Sequence, residues 1–190
     1  MIIPNNLTMI VSHPDDEVIF GWGVIKHVKK IIYCSTDRFN IDKPQWKDRC
    51  TATEEIGKLL NIEIINLDYN SDFYKLQDSY LDHFLASVNS AIKSETCLFT
   101  HNAWGEYGHL DHIFLHSIIK QSEKSMITSN IMVNSKYTGF VSAIKPQISD
   151  SLDVTNDLKL YSECRSIYKN YNCWTWHEPP IYRAKLYIVQ

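Results

Sequence analysis

The sequence lacks long hydrophobic runs and has no excess of basic residues. Its apolar runs extend over only a few residues, whereas a membrane-spanning helix needs about 20. Lys and Arg number 19 against 22 Asp and Glu, for a formal net charge of -3, so no basic surplus is available to hold a nucleic-acid backbone. No basic region precedes an apolar stretch at the N-terminus, so we expect no signal peptide and a cytoplasmic location.

The sequence also lacks a cysteine framework and an internal linker. Its 5 cysteines are irregularly spaced and include no Cys-x-x-Cys pair, which disfavours both disulfides and a cysteine zinc knuckle and favours buried, reduced thiols. No low-complexity tract or linker rich in Pro, Gly or Ser divides the chain. The 190 residues, 44% hydrophobic and 22% charged, therefore predict one globular domain over residues 1–190.

Strand-like and helix-like stretches alternate along the chain. Strands are predicted at residues 7–11, 30–34, 62–67, 97–100, 127–133 and 181–189, and helices at residues 16–29, 44–60, 76–93, 111–121 and 156–168. This alternation predicts a three-layer α/β domain with a mainly parallel sheet. Sites in such sheets lie in loops at the carboxyl ends of the strands, which selects residues 12–17, 35–43 and 101–110.

The loop after the first predicted strand places acids beside a histidine. It reads Ser12-His13-Pro14-Asp15-Asp16-Glu17. One acid is enough to cap the following helix, so capping leaves the histidine and the other carboxylates unexplained. Clustered carboxylates repel one another unless a cation or hydrogen-bond donors hold them. The loop therefore favours a metal site or an acid–base site.

The loop before the helix predicted at residues 111–121, together with the first two residues of that helix, carries further polar and aromatic groups. These are His101, Asn102, Trp104, Tyr107, His109, Asp111 and His112. His109 and His112 are three residues apart and share a helical face. His116 lies on the same side but is more typical of a packed core histidine.

Two histidines and one carboxylate from these loops form a candidate metal site. His13, Asp16 and His112 provide three protein ligands and an open fourth position, which is the pattern of a catalytic zinc site. The same ligands suit non-haem ferrous iron, so the residues leave the metal open. Asp15 points elsewhere in this arrangement and stays free as a base.

The chain resembles the LmbE-like or PIG-L family of zinc-dependent sugar N-deacetylases. The motifs that carry the resemblance are His13-Pro-Asp-Asp-Glu17 and Gly105-Glu-Tyr-Gly-His109-Leu-Asp111-His112. The resemblance covers most of the chain. It implies a Rossmann-like fold, a zinc cofactor and removal of the acyl group from an N-acetylglucosamine-type substrate.

The resemblance also implies roles for the catalytic residues. His13, Asp16 and His112 match the zinc ligands, and Asp15 matches the general base. The residue matching the histidine that stabilises the oxyanion is His109. We expect His109 to be protonated and to set the alkaline limb of the pH–rate profile, and we expect the neighbouring Asp111 to orient it.

On the substrate side, Arg49 matches the family's sugar-contacting arginine, and an exposed helix arginine is the alternative. The glutamate that the family places three residues later is Ala52 here. Asn102, Trp104 and Tyr107 are further candidates for sugar binding, although core packing also explains the two aromatic residues.

The C-terminal cluster Trp174, Trp176 and His177 either forms a wall of the site or covers a sheet edge. The expected partner is an N-acetylated sugar or glycoconjugate, with no nucleic acid and no membrane span. Two other functions use the same residues. One is a ferrous iron oxygenase, whose ligands typically sit on a β-barrel, and the other is a sugar-binding protein without turnover.

Overall fold

The computed structural model describes residues 2–133 and 151–189. The strands there are β1 (Leu7–Val11), β2 (Val28–Ser35), β3 (Glu63–Tyr69), β4 (Cys97–Phe99), β5 (Ser125–Ser129), β6 (Ser151–Thr155) and β7 (Arg183–Val189). The helices are α1 (Asp16–Ile19), α2 (Arg49–Leu60), α3 (Asp78–Ala91), α4 (Gly105–Gly108), α5 (Leu110–Gln121) and α6 (Leu158–Asn170). None of these helices is long and apolar enough to cross a membrane.

The seven strands form one sheet in the order β3-β2-β1-β4-β5-β7-β6. The strands from β3 to β5 in this order are parallel, whereas β7 runs antiparallel to both β5 and β6. The prediction of an α/β fold with a mainly parallel sheet is therefore confirmed. Strand β1 is buried along its whole length, as expected for a central parallel strand covered on both faces.

Helices cover the two faces of the sheet. Ile10 of β1 belongs to an apolar cluster with Phe84 of α3 and Leu115 of α5. Met9, which points to the opposite face, belongs to a second cluster that Leu60 of α2 and Leu160 of α6 extend. The alternation of β1 side chains thus joins the two helix layers through the sheet.

The helix predicted at residues 16–29 is much shorter in the structure. Helix α1 ends at Ile19, a 3-10 turn follows at Ile25–His27, and β2 begins at Val28. A Cβ at Gly21 would lie 2.6 Å from the Met9 side chain. The absence of a side chain at Gly21 allows the backbone there to lie close to Met9 of β1, closer than a residue with a larger side chain could approach.

Strand β6 was not predicted from the sequence. Its residues Ser151–Thr155 alternate between exposed and half-buried positions, and only two of the five are apolar. The strand pairs with β7 at the sheet edge. Leu152 and Val154 do alternate with polar residues, but over only five positions, and the pairing with β7 is what places this segment in the sheet.

The fold places two of the predicted loops side by side. Strand β1 lies between β2 and β4, and the chain leaves β1 toward β2 and reaches β4 only after β3. Parallel sheets bind ligands at such a switch point, outside the carboxyl ends of the strands. The loops after β1 and β4 therefore meet at this edge.

Candidate metal and catalytic site

The loops after β1 and β4 bring His13, Asp16 and His112 together. Asp16 Oδ2 lies 3.3 Å from His13 Nδ1 and 3.3 Å from His112 Nε2. The two histidine nitrogens are 3.4 Å apart. Two metal bonds of about 2.0–2.1 Å at a tetrahedral angle place their ligand atoms roughly 3.3–3.4 Å apart. The three buried side chains therefore fit a tetrahedral divalent ion such as zinc.

The carboxylate of Asp111 holds the first of these histidines. Its Oδ2 lies 3.0 Å from His13 Nε2, and its two oxygens accept the backbone N–H groups of Asp72 and Tyr74 at 2.8 and 3.1 Å. Such a contact fixes the tautomer, so that Nδ1 of His13 keeps its lone pair for an ion. Asp111 contacts His109 through its backbone N–H, at 3.2 Å from His109 Nδ1, whereas its carboxylate holds His13 and the backbone of residues 72 and 74.

Glu106 holds the second histidine and was not assigned a role from the sequence. Its Oε2 lies 2.8 Å from His112 Nδ1 and 3.1 Å from His101 Nδ1, and its Oε1 accepts the Asn102 amide at 3.0 Å. Burial opposes ionisation, but the two histidines outweigh it and lower the pKa of Glu106 to about 2. The sequence signal that could have identified Glu106 is an acidic residue between two glycines, shortly before the candidate ligand His112.

His101 lies against the same cluster without joining the predicted ligand set. Its Nε2 is 3.4 Å from Asp16 Oδ2, and geometry alone groups Asp16, His101 and His112 as possible ligands. However, the Ser12 backbone N–H donates to this Nε2 at 3.0 Å. Since that bond uses the nitrogen's lone pair, we assign His101 to packing against His112, with ring centroids 3.7 Å apart.

His109 caps helix α5 and presents a single donor to the site. Its Nδ1 accepts the Asp111 backbone N–H at 3.2 Å, so the neutral ring carries its proton on Nε2. Burial and the neighbouring rings of His112 and His13 lower the pKa of His109 to about 3. These contacts favour the neutral imidazole, rather than the protonated His109 expected from the sequence, as the donor.

Asp15 is held apart from the three ligand side chains. Its backbone has a φ of 89°, and its amide donates to Glu17 Oε2 at 3.1 Å. Its Oδ2 accepts both the Thr175 backbone N–H at 2.9 Å and the Thr175 hydroxyl at 2.7 Å. Burial and the charge of Asp16 raise the pKa of Asp15 to about 6. This carboxylate is suited to accept a proton near neutral pH.

Glu17 connects the backbone of Asp15 to helix α6. Its side chain is fully buried, and its Oε1 accepts the hydroxyl of Tyr168 at 2.7 Å. Burial and the nearby Asp15 raise the pKa of Glu17 to about 8. The sequence placed this acid in the motif but gave no partner for it, because Tyr168 lies about 150 residues further along the chain.

A cleft of about 430 Å³ opens beside the candidate metal ligands. The described residues that line it include His13, Asp15, Asp16, Asp37, Lys43, Trp46, Arg49, Tyr107, His109, Thr175, Trp176 and His177. The C-terminal cluster thus contributes Trp176 and His177 to a wall of the site. Tyr107 packs its ring 5.7 Å from that of His112.

Arg49 lines this cleft from a buried position. The residue is 2% exposed, so the alternative of an exposed helix arginine is wrong. Its guanidinium lies 3.3 Å from Asp37 Oδ2 and 3.8 Å from the centre of the Trp46 ring.

Two predicted sugar-binding residues do not reach the cleft. Asn102 is fully buried and donates to the backbone carbonyls of Ser129 and Ile131 at 3.3 and 2.7 Å. Trp104 is 2% exposed, and its indole donates to the same Ile131 carbonyl at 2.9 Å. Both side chains tie the loop after β4 to the chain beyond β5, so their assignment to substrate binding is wrong.

Comparison with known proteins identifies relatives in structure but not in sequence. No protein-family model matches the chain, and no curated protein matches it. N,N'-diacetylchitobiose deacetylase from Pyrococcus horikoshii superposes with a TM-score of 0.60 at 15% identity, covering 89% of this chain and 70% of that one. A zinc-inhibited form of teicoplanin deacetylase gives 0.59 at 11% identity, covering 96% and 97%.

A third similar structure has a different activity. It is GalB, the 4-carboxy-2-hydroxymuconate hydratase from Pseudomonas putida, with a TM-score of 0.56 at 12% identity and coverage of 97% and 96%. The resemblance to the LmbE-like or PIG-L family is thus confirmed at the level of its Rossmann-like fold. A fold shared by deacetylases and a hydratase does not fix the reaction.

Proposed function

We propose that the chain is a metal-dependent N-deacetylase of the LmbE-like or PIG-L type, acting on an N-acetylated amino sugar. The observation that carries this proposal is the spacing of His13, Asp16 and His112 at 3.3–3.4 Å beside Asp15, a buried carboxylate outside that set. Metal ligands with a separate base are the requirements for hydrolysis of an amide by water. The fold shared with a chitobiose deacetylase supports this chemistry.

Zinc is the proposed ion, held by His13, Asp16 and His112. When bound, zinc polarises a carbonyl and lowers the pKa of water from 15.7 to about 7. Asp111 and Glu106 keep the two histidines in the tautomers that such an ion needs. Ferrous iron remains the alternative to compare with zinc, because the same ligand set suits both.

The chain's own groups account for the proton transfers. Asp15 takes a proton from the attacking water, and Thr175 keeps the accepting carboxylate in place through its two hydrogen bonds. The Nε2–H of His109 donates to the oxygen that becomes negative in the tetrahedral state. Asp15 then returns its proton to the leaving nitrogen, so that acetate and a free amine are formed.

The cleft has features that suit a sugar ring. Tyr107 and Trp176 provide apolar ring faces, and their centroids are 6.0 Å apart. Arg49 and Lys43 also line the cleft and supply hydrogen-bond donors. The α/β sheet argues against an iron oxygenase, whose ligands typically sit on a β-barrel. A hydratase is a second candidate, because GalB shares the fold.

The deciding experiment incubates a panel of N-acetylated mono- and disaccharides with zinc-loaded, ferrous-loaded and metal-free protein, and measures acetate and free amine. We expect release of both with the metal-loaded protein. Asp15→Asn should retain its metal by elemental analysis and lose on the order of 10²–10⁴ in rate. Asp42→Asn, an exposed aspartate change, is the matched control.

Two outcomes would contradict the proposal. Full metal occupancy in His112→Ala would remove that residue from the ligand set. Wild-type turnover in Asp15→Asn at saturating metal would exclude Asp15 as the base. A hydratase would add water to an unsaturated acid without releasing acetate, so the same product analysis separates the two candidate functions.

A further inference from the structure

A second concavity lies beside the catalytic cleft, on the outer side of the C-terminal wall. We call it the basic pocket. Its volume is about 430 Å³, and its lining among the described residues is Arg165, Lys169, Asn172, Trp174, Trp176 and His177. Trp176 and His177 also line the catalytic cleft. A ligand that extends past these two side chains therefore passes from one concavity into the other.

The charge of the basic pocket is opposite to that of the cleft. Arg165 and Lys169 are four residues apart on α6, so their side chains share one helical face. No carboxylate lines the pocket, and neither cation has an acidic partner within 4.0 Å in the part of the chain that the structure describes. By contrast, Lys43 and Arg49 in the cleft both face Asp37, at 3.8 and 3.3 Å.

An aromatic side chain positions one of the two cations. The guanidinium of Arg165 lies 5.6 Å from the centre of the Trp174 ring. That ring packs edge-on against Tyr161, with centroids 5.8 Å apart and an interplanar angle of 88°. A guanidinium that rests on an indole keeps its N–H groups free for an acceptor, and its planar fork matches a carboxylate or phosphate. The indole also offers an apolar face to a sugar ring.

We propose that the basic pocket binds an anionic group, a carboxylate or a phosphate, on the unit attached to the N-acetylated sugar. The substrate is then an acidic glycoconjugate whose amide lies at Asp15 and whose anion lies between Arg165 and Lys169. This inference rests on the proposed function for the position of the amide. The charge and aromatic contacts of the pocket support the binding of the anion independently of turnover.

The kinetic test uses three disaccharides that differ in one group of the second ring. They are N-acetylglucosaminyl-glucose, N-acetylglucosaminyl-glucuronate and N-acetylglucosaminyl-glucose 6-phosphate. We expect the KM of the preferred acidic compound to be about ten-fold lower than that of the neutral one, which corresponds to about 1.4 kcal/mol, with a similar kcat. The two acidic compounds distinguish a carboxylate from a phosphate, and added salt should reduce the preference.

The variant Arg165→Gln/Lys169→Gln should raise the KM of the acidic compound to that of the neutral one and leave the neutral compound unaffected. Lys29→Gln/Lys58→Gln removes the same charge from exposed positions outside α6 and is the matched control. Equal KM values for acidic and neutral compounds in the wild type would overturn the proposal. An equal loss of preference in the control variant would also overturn it, because a general field effect would then explain the result.

A binding measurement keeps this inference separate from the proposed deacetylation. Glucosyl-glucuronate and glucosyl-glucose carry no amide, and their binding is followed by calorimetry. If glucosyl-glucuronate binds more tightly than glucosyl-glucose, and Arg165→Gln/Lys169→Gln abolishes this difference, the result supports anion binding in the basic pocket even if no amide is hydrolysed. If the neutral amide is hydrolysed and neither the kinetic nor the calorimetric assay shows a preference for the acidic compounds, the proposed function stands and anion binding in the basic pocket is refuted.

Discussion

Replacing Glu106 with glutamine tests the support of the candidate metal site directly. The carboxylate accepts from the two histidine Nδ1 atoms through Oε2 and from the Asn102 amide through Oε1. A glutamine keeps the shape but offers one acceptor and one NH₂ group. If the NH₂ faces the histidines, His112 must move its proton to Nε2, which blocks the atom that binds the ion. If the NH₂ group instead faces the backbone N–H of Asn102, two hydrogen-bond donors meet.

The expected magnitudes follow from these contacts. Loss of an outer carboxylate that orients a ligand histidine typically costs about 10–100-fold in metal affinity. Stability should fall as well, because Glu106 is 1% exposed and its pKa is lowered from 4.5 to about 2. That difference corresponds to about 3 kcal/mol in the free energy of unfolding. The contribution is present above pH 4.5 and is lost as the pH falls toward 2.

The assay measures zinc affinity by competition with a chelator, and urea unfolding of the metal-free protein at several pH values. Glu123→Gln is the matched control, because Glu123 is exposed and shares a left-handed backbone, with φ 58° against 57° at Glu106. It should change neither quantity. Zinc affinity within two-fold of wild type in Glu106→Gln, together with unchanged unfolding at pH 7, would refute the reasoning.

Three further changes test the surroundings of the site. Thr175→Val removes one of the two hydrogen bonds to Asp15 and should lower kcat by about ten-fold or more, because a hydrogen bond to a charged group contributes about 1.5–3 kcal/mol. Thr175→Ser should restore kcat, and equal rates for the two variants would contradict the positioning role. Because the pKa of Glu17 is raised from 4.5 to about 8, its protonated side chain contributes fully to the stability of the metal-free protein below pH 4.5, and this contribution is lost as the pH rises toward 8. Glu17→Gln should lack this part of the pH dependence in urea unfolding. A profile parallel to that of the wild type would contradict this role of Glu17. Arg49→Ala removes one of the two cations that face Asp37 and should lower the free energy of unfolding by about 1.5 kcal/mol, since Lys43, Ser71 and Asn40 still hold the carboxylate. A change confined to KM would instead favour a role in sugar contact alone.

The sequence alone was sufficient for the fold class and for the principal chemical groups. A short apolar run is a local property, so it predicted β1 at Leu7–Val11 as the structure has it. The alternation of such runs with helix-like stretches predicted the α/β class that the sheet confirms. Residues of one short motif, such as His13 and Asp16, are close in space because they are close along the chain. The partner His112 followed because loops at the carboxyl ends of parallel strands share one edge.

Local pattern was a weaker guide where packing decides the backbone. Gly21 allows the chain to approach Met9 just after the helix that begins at Asp16 has ended. In β6, the polar–apolar alternation covers only five residues, and pairing with β7 places the strand in the sheet. Neither contact is encoded near the residues that it controls.

The supporting contacts of the site depended on tertiary structure alone. The sequence placed Asp111 next to His109, but folding directs its carboxylate to His13, 98 positions away. Trp104 directly precedes the second motif yet faces the interior, while Thr175 reaches Asp15 from 160 positions away. Residue type determines which chemistry a side chain has. Its partner is determined by the direction of the side chain and by the strands that folding brings alongside, and neither is fixed by spacing along the chain.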